Sequence, residues 1–284
     1  MNRTPPTAPA AVAATAARAI AFAFALCATA ALAGTPAPAH AAGQPEIRPA
    51  TSADAVAMAD RFYAGFDFEG ALSACRAGLA VDSTSYDLQW RLARSLIDRG
   101  ARAEYDQNKP KAEAAYGEAV AAGRRAVVLD AAKPEGHLEL AVALGRLALF
   151  KGGKEKIRLS KEIKSEVDRA LAIDPKQDRA EHVLARWNRG IAELNFFEKA
   201  AANTVLGGLP KGATMDEAVT HFERAIALNP EYANHHVELG RTLLKLGLKA
   251  KARAEFEKAL ACPQRTPFDP EYKKDAQQLM AQTQ

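Results

Sequence analysis

The sequence lacks the residues and motifs that mark enzymes, metal sites and disulfide scaffolds. Only 3 of its 284 residues are cysteine, and none of the motifs H-E-x-x-H, C-x-x-C and G-x-S-x-G occurs. Gly152-Gly153-Lys154-Glu155 is not a phosphate-binding loop, because the spaced first glycine and the Ser or Thr after the lysine are missing. These absences predict a non-enzymatic protein with no catalytic residues, no metal and no cofactor.

A strong excess of charge is also missing. The formal net charge is +4 over the whole chain, and it falls further when Arg3 and Arg18 of the N-terminal segment are left out. So small an excess gives no reason to expect nucleic acid as a partner.

Long apolar runs are absent except near the N terminus. Residues 1–41 contain two arginines and no Asp or Glu, and 19–33 form an Ala-rich apolar run. Ala39-His40-Ala41 supplies an A-x-A cleavage site. The segment is therefore predicted to be a secretory signal peptide that is cleaved before Ala42.

Two alternatives for this segment stay open. Ala31-Leu32-Ala33 is a second possible cleavage site. The apolar run is shorter than the roughly 20 residues of a membrane span, but a retained N-terminal anchor is possible, and membrane contact is expected only in that case. Residues 42–50 are predicted to be a flexible linker. An exported protein of the periplasm or cell envelope follows from this interpretation.

The six histidines do not form a metal-binding pattern. His235 and His236 are adjacent, so they point in different directions on a helix and cannot chelate as an i, i+4 pair does. His137 and His236 occupy the same position in two repeats, and we predict that both are half-buried packing residues. His40 leaves with the signal segment.

A tract of alanine and aliphatic residues recurs at the ends of predicted helices. In the second helix of a unit, small and aromatic residues follow the spacing i, i+4, i+7, which places them on one face. Pro175 and Pro230 are predicted to stop their helices, because proline lacks the N–H donor. The tract occurs at Ala170–Pro175 and Ala225–Pro230, and weaker copies lie at Ala259–Pro263 and Gly78–Asp82.

Leu-Ala or Leu-Gly pairs mark the first helix of each unit. Helix–turn–helix units of this kind resemble the tetratricopeptide repeat (TPR), whose period is about 34 residues. The pairs and the recurring tracts together predict which residues pack between units. These are Leu92, Ala93, Leu140, Ala141, Leu184, Ala185, Ala218, Phe222, Ala225, Leu239, Gly240, Ala252, Phe256 and Ala259.

The fold predicted for residues 51–284 is all-α, a TPR-like right-handed superhelix of antiparallel helix pairs. About five units are expected up to Gln264, and a final helix, 270–282, is expected to cap the open end. Cys75 and Cys262 fall at packing positions in the first and last units. They are predicted to be small buried residues and not a disulfide pair.

The units are longer than the TPR period, and the extra residues carry a family resemblance. They fall at 100–110, at 151–156 and in an apolar insert, Leu194–Leu206. The stretch from Leu184-Ala185-Arg186-Trp187 through this insert to Glu217-Ala218 resembles the regulator of microtubule dynamics family. The resemblance implies an all-α TPR-like domain. Animal members of that family are associated with microtubules and membranes.

The concave face of the predicted superhelix is the candidate binding surface. Residues two places before or after each Leu of the marker pairs should face the groove, and arginine recurs among them. In the fourth unit, Arg179 and Arg189 extend this row to a continuous basic stripe at helical spacing. Arginine suits the recognition of carboxylates, because its planar fork donates two parallel hydrogen bonds. The predicted groove residues are Trp90, Arg94, Arg179, His182, Arg186, Arg189 and Arg241.

These residues favour a scaffold or adaptor that binds a protein or peptide partner with acidic or C-terminal carboxylate character. Against this, the arginines could simply pair with Glu139, Glu193 and Glu238 nearby. A second hypothesis is a carrier or enzyme accessory that holds an apolar ligand, lined by Phe196, Phe197 and Leu206. A third, implied by the family resemblance, is activity on the cytoskeleton.

Overall fold

The structure of the protein, a computed structural model, describes residues 47–194, 199 and 212–284. All regular structure in this part of the chain is helical. The helices are α1 (Ser52–Ala64), α2 (Phe68–Val81), α3 (Tyr86–Tyr105), α4 (Lys109–Leu129), α5 (Pro134–Ala148), α6 (Gly153–Ile173), α7 (Asp178–Ala192), α8 (Met215–Leu228), α9 (Ala233–Lys245), α10 (Lys249–Ala261) and α11 (Asp269–Met280), followed by a 3-10 turn, Ala281–Thr283.

Short polar side chains fix where several of these helices begin. Thr51 accepts a hydrogen bond from the backbone N–H of Asp54, whose carboxylate accepts from Thr51 in return, a capping box. Thr214 caps α8 through the N–H of Glu217 in the same way that Thr51 caps α1. As predicted, α6 and α8 end two residues before Pro175 and Pro230.

Consecutive helices pack as antiparallel pairs, namely α1/α2, α3/α4, α5/α6, α7/α8 and α9/α10, and α11 lies against α9 and α10. This confirms the all-α repeat fold. The predicted insert Leu194–Leu206, including Phe196 and Phe197, lies almost wholly outside the described residues. The extra residues elsewhere mostly lengthen helices: α3, α4 and α6 have 20 or 21 residues, whereas α9 and α10 have 13.

The predicted packing residues form the core. Ala218, Phe222 and Ala225 of α8 are fully buried, as are Ala252, Phe256 and Ala259 of α10. The marker-pair residues are also buried, except Leu92, which is half-buried against two neighbouring clusters. Cys75 and Cys262 are buried free thiols. No described helix combines the length and apolar character that crossing a membrane requires.

The two ends of the array meet. Phe268, just before α11, is only 3% exposed. Its ring lies 6.1 Å from the ring of Phe68 at the start of α2 and 6.0 Å from the ring of Tyr105 at the end of α3. Arg102 of α3 covers the Phe268 ring and binds Glu271 at 2.7 Å. We call these five residues the closing contact. It joins the first two repeats to the last helix.

Glycine is needed where two helices of a pair touch. A Cβ placed on Gly240 would lie 2.5 Å from the buried ring of Phe256, whereas one on Gly117 would meet nothing within 4 Å. We expect Gly240→Ala to lower the free energy of unfolding by about 1–3 kcal/mol. Gly117→Ala should raise it by about 0.5–1 kcal/mol, because alanine loses less backbone entropy in a helix. Urea unfolding of both variants, followed by circular dichroism, checks this; equal effects would contradict it.

Candidate functional site

Several helices of the array line a half-open cavity of about 1000 Å³, which we call the chamber. Its walls come from the inner helices α3, α5 and α7, the start of α6, the turn before α9, and α11. Ile97, Val142, Ile157 and Val183 supply apolar wall, and polar groups from several helices point between them. A cavity of this size is at the upper end of the range of small-ligand pockets.

The chamber collects four of the seven residues predicted for the groove. Arg179, His182, Arg186 and Arg189 of α7 line it. Arg94 packs instead over the Tyr63 ring of α1, 3.5 Å from its centroid, and Trp90 lies beside it. Arg241 reaches towards α11, where it binds Asp275 at 3.2 Å.

Intramolecular ion pairs occupy most of these arginines. Arg179 binds the buried carboxylate of Glu139 through both terminal nitrogens, at 2.5 and 3.0 Å. Arg189 binds Glu238, which also lies 3.6 Å from Arg241. Two of the three expected glutamate partners are therefore engaged. The third, Glu193, pairs with Lys245 instead, at 2.7 Å.

Arg186 differs from its neighbours. Within the described part of the chain it makes no hydrogen bond and no direct ion pair. Glu238 favours its charged form, but burial and the nearby charges of Arg146 and Arg189 outweigh that, so the pKa of Arg186 lies below its ordinary value. Arginine nevertheless stays charged in proteins. The chamber therefore holds a cation that shares the charge of Glu238 with other arginines and donates no hydrogen bond within the described part of the chain.

The charged chamber residues outside the predicted set include Asp98 and Arg146, which lie on the inner helices α3 and α5. Each lies six places after the Leu of a marker pair, one helical turn beyond the predicted groove positions. Residues i and i+4 share a helix face, so extending the row from Arg94 and Val142 by one turn finds both. Tyr232 and Tyr272 also reach the chamber, but they come from a turn and from α11, which the repeat pattern does not cover.

A chain of buried hydrogen bonds ends at the chamber wall. Asp178 accepts from His235 Nε2 at 3.1 Å, and His235 Nδ1 lies 2.9 Å from His182 Nδ1. Burial lowers the pKa of both histidines, so both rings are neutral at pH 7. With His235 donating to Asp178, its Nδ1 must accept from His182. The remaining lone pair is then on His182 Nε2, and His182 presents an acceptor.

The other repeat histidines serve packing, as predicted, although they are buried and not half-buried. His137 bridges Glu166 at 2.6 Å and the carbonyl of Ala131 at 3.0 Å. His236 makes the equivalent bridge, to Glu255 at 2.8 Å and the carbonyl of Pro230 at 2.9 Å. Each ties the second helix of a unit to the turn before the first. Among the described residues, no three acidic, histidine or cysteine side chains are grouped to hold a metal ion.

Comparison with known proteins identifies the family. The profile described as "Regulator of microtubule dynamics protein 1-3" matches residues 55–284. The chain belongs to the regulator of microtubule dynamics family. It is 30% identical to regulator of microtubule dynamics protein 1 of Bos taurus over 70% of this chain and 62% of that protein. It is 32% identical to regulator of microtubule dynamics protein 3 of Mus musculus over 68% of this chain and 40% of that protein.

The chain thus spans between about two fifths and three fifths of the length of these family members. Among solved structures, it is similar to TTC0263, a thermophilic TPR protein of Thermus thermophilus. The match has a TM-score of 0.60 and 16% identity, and covers 81% of this chain and all of that one. At this level of identity the likeness shows the TPR fold.

Asp98 is expected to make the free energy of unfolding depend on pH. Burial raises the pKa of Asp98 to about 6, and Tyr63, Arg179 and Arg94 offset this only partly. A raised carboxyl pKa favours the folded state below the unfolded value of about 3.9, and this advantage is lost as pH rises through 6. We expect Asp98→Asn to stabilise the protein by about 1–2 kcal/mol at pH 8 and hardly at all at pH 4. Urea titrations at both values measure it; a pH-independent difference would contradict it.

Proposed function

We propose that the protein is an exported, non-enzymatic interaction module whose chamber binds a carboxylate of a partner protein, from an acidic side chain or a chain end, through Arg186. The observation that carries this proposal is the guanidinium of Arg186 in the chamber wall, which makes no hydrogen bond or direct ion pair in the described part of the chain. TPR-like folds expose such concave surfaces for binding.

Electrostatics supports an anionic ligand. Arg146, Arg186 and Arg189 are close enough for their charges to oppose one another. Glu238 lies among them, but its carboxylate is already hydrogen-bonded to Arg189. An incoming carboxylate relieves the remaining repulsion and accepts two parallel hydrogen bonds from the free fork of Arg186.

The size of the chamber limits what enters. Phe268 and α11 close one side of the array, so the concave face is not an open channel along its whole length. A chamber of about 1000 Å³ accommodates a chain end or a short loop more readily than a long helix. We therefore favour a terminal or looped segment over a helical one.

The binding proposal is tested with fluorescent acidic peptides in free-carboxylate and C-terminally amidated forms. Arg186→Gln should weaken binding of the free-carboxylate form about tenfold to a hundredfold, the loss of a charge-assisted hydrogen-bonded pair. Arg224→Gln is the matched control, because Arg224 is exposed on α8 and has no ion pair in the described part of the chain. Equal affinities for wild type and Arg186→Gln would refute the proposal.

Export is supported by the composition of residues 1–41 and by Ala39-His40-Ala41. N-terminal sequencing of the protein from a cell-envelope fraction should give Ala42 as the first residue. A product that begins near residue 34 would indicate the earlier site, Ala31-Leu32-Ala33. An intact N terminus in the membrane fraction would indicate a retained anchor.

Two other functions have specific support. The apolar wall residues of the chamber favour a bound apolar ligand, which native mass spectrometry of protein from its own host detects as added mass. Membership of the regulator of microtubule dynamics family favours an action on the cytoskeleton. Co-sedimentation with polymerised tubulin tests that function, and we expect no binding from an exported protein.

A further inference from the structure

Asp98 is the second charged group of the chamber that its surroundings leave unsatisfied. It lies on α3, and its side chain lines the same cavity as Arg186. The Oδ2 atom is buried and has no hydrogen-bond partner among the described residues. A hydrogen bond from the Tyr63 hydroxyl favours the ionised form of Asp98, but it leaves Oδ2 without a partner.

The cations near Asp98 are engaged elsewhere. The groups that face it are Tyr63 of α1, Arg94 of α3, Glu139 of α5 and Arg179 of α7. Arg94 lies over the Tyr63 ring and 3.7 Å from Asp60. Arg179 is held by both oxygens of Glu139. Both charges favour ionised Asp98 from a distance, but neither guanidinium donates a hydrogen bond to it, and the Nε atom of Arg94 is itself without a partner among the described residues. Glu139 adds a like charge.

Asp269 and Glu271 also have one buried oxygen without a partner, but the second oxygen of each accepts a hydrogen bond at 2.6 or 2.7 Å. Other buried carboxylates are more fully bonded. Asp178 accepts hydrogen bonds from Asn229 at 2.9 Å and from His235 at 3.1 Å. Asp60 accepts two from Arg91, at 2.7 and 2.8 Å. A buried, unpaired carboxylate weakens the fold and is uncommon unless it serves a site.

We propose that Asp98 is a subsite for an ammonium group of the ligand whose carboxylate binds Arg186. The inference rests on the proposed function, because Arg186 must hold the other end. An ammonium donates three hydrogen bonds in any direction, so it matches an acceptor flanked by apolar wall. A divalent metal would need several further oxygen ligands, and the described residues around Asp98 do not supply them.

The ammonium has two chemical sources, a lysine side chain or a free α-amino group. Either makes the preferred ligand dipolar, with its negative group towards α7 and its positive group towards α3. Because a bound ammonium stabilises ionised Asp98, binding should release a proton near pH 6. Affinity should therefore rise as pH increases through that value.

The first test needs no identified ligand. The ¹³C carboxyl resonance of Asp98, assigned by its loss in Asp98→Asn, is titrated with pH in excess n-butylammonium chloride and in sodium chloride of equal ionic strength. We expect n-butylammonium to lower the Asp98 pKa by about half a unit or more in wild type and in Arg186→Gln alike. Equal titrations in the two salts would overturn the subsite.

The second test uses acidic tetrapeptides with a free carboxylate that carry either lysine or uncharged norleucine, each with a free or an acetylated N terminus. A lysine or a free N-terminal amine should raise the affinity of the peptide for the wild-type protein about tenfold. It should leave the affinity for Asp98→Asn unchanged. Equal tightening in both proteins would overturn the inference. If n-butylammonium lowers the Asp98 pKa but no acidic peptide binds, the proposed function fails while the ammonium subsite stands. If peptides bind through Arg186 without preferring an ammonium, the proposed function stands while the subsite fails.

Discussion

Replacing Glu238 with alanine is expected to lower the free energy of unfolding by about 3–5 kcal/mol, the usual result of removing one member of a buried ion pair. Glu238 is 7% exposed and accepts a hydrogen bond from Arg189, with Arg241 at 3.6 Å and Arg186 nearby. Its loss leaves three guanidinium groups close together without their shared carboxylate. Urea unfolding at pH 7 measures the effect.

The pH dependence identifies charge as the cause. Burial alone would raise the pKa of Glu238, but Arg186, Arg189 and Arg241 hold it well below the ordinary range. A carboxylate with a depressed pKa stabilises the fold above its unfolded value of about 4.3, and this contribution is lost as pH falls through the folded value. The loss of unfolding free energy caused by Glu238→Ala should therefore be complete at pH 6 and become smaller below pH 4. Glu223→Ala, at an exposed site on α8, should stay within about 0.5 kcal/mol.

A change of Phe256 to alanine should cost a similar amount, about 3–5 kcal/mol. Its ring is fully buried and fills the space that Gly240 leaves open on α9. Alanine would leave a cavity that rigid neighbouring helices cannot close. The lost transfer free energy of the ring and the lost van der Waals contacts therefore both lower the free energy of unfolding. Thermal and urea unfolding check it.

Phe222 is the equivalent residue of the preceding unit, and Phe222→Ala should cost about as much. The two residues belong to one core cluster, so the double variant should depart from additivity. Leu248→Ala is the control, since Leu248 is 42% exposed and its removal should change stability by less than about 0.5 kcal/mol. A loss below about 1 kcal/mol for Phe256→Ala would mean that the helices collapse into the space.

Local periodicity made the repeats predictable. The i, i+4, i+7 spacing places Ala218, Phe222 and Ala225 on one face whatever the rest of the chain does, and the structure buries all three. Asn188 interrupts the apolar row of α7, yet it is buried because its amide donates to the carbonyl of Leu184 at 2.9 Å. A polar side chain that bonds to its own helix can occupy a core position.

The candidate site was less predictable, because which charges remain unpaired depends on neighbours from other helices. The sequence places Arg179, Arg186 and Arg189 on one helix with no way to tell them apart. In the structure, Arg179 pairs with Glu139 of α5 and Arg189 pairs with Glu238 of α9. Arg186 makes no direct ion pair and lines the chamber. Asp98 and Arg146 follow the same periodicity, since each lies four residues after a predicted groove position of its helix.

The meeting of Phe268 with Phe68 and Tyr105 changes how the array should unfold. An open stack of repeats frays from its ends, since each terminal unit has a single neighbour. Here the terminal segments stabilise one another, so the loss of α11 should expose the amides of α2 and α3 to hydrogen exchange as well as those of α9 and α10. Joining the ends converts a one-dimensional chain of neighbours into a loop of contacts, in which the segment from Phe268 to Glu271 and the helices α2 and α3 protect each other.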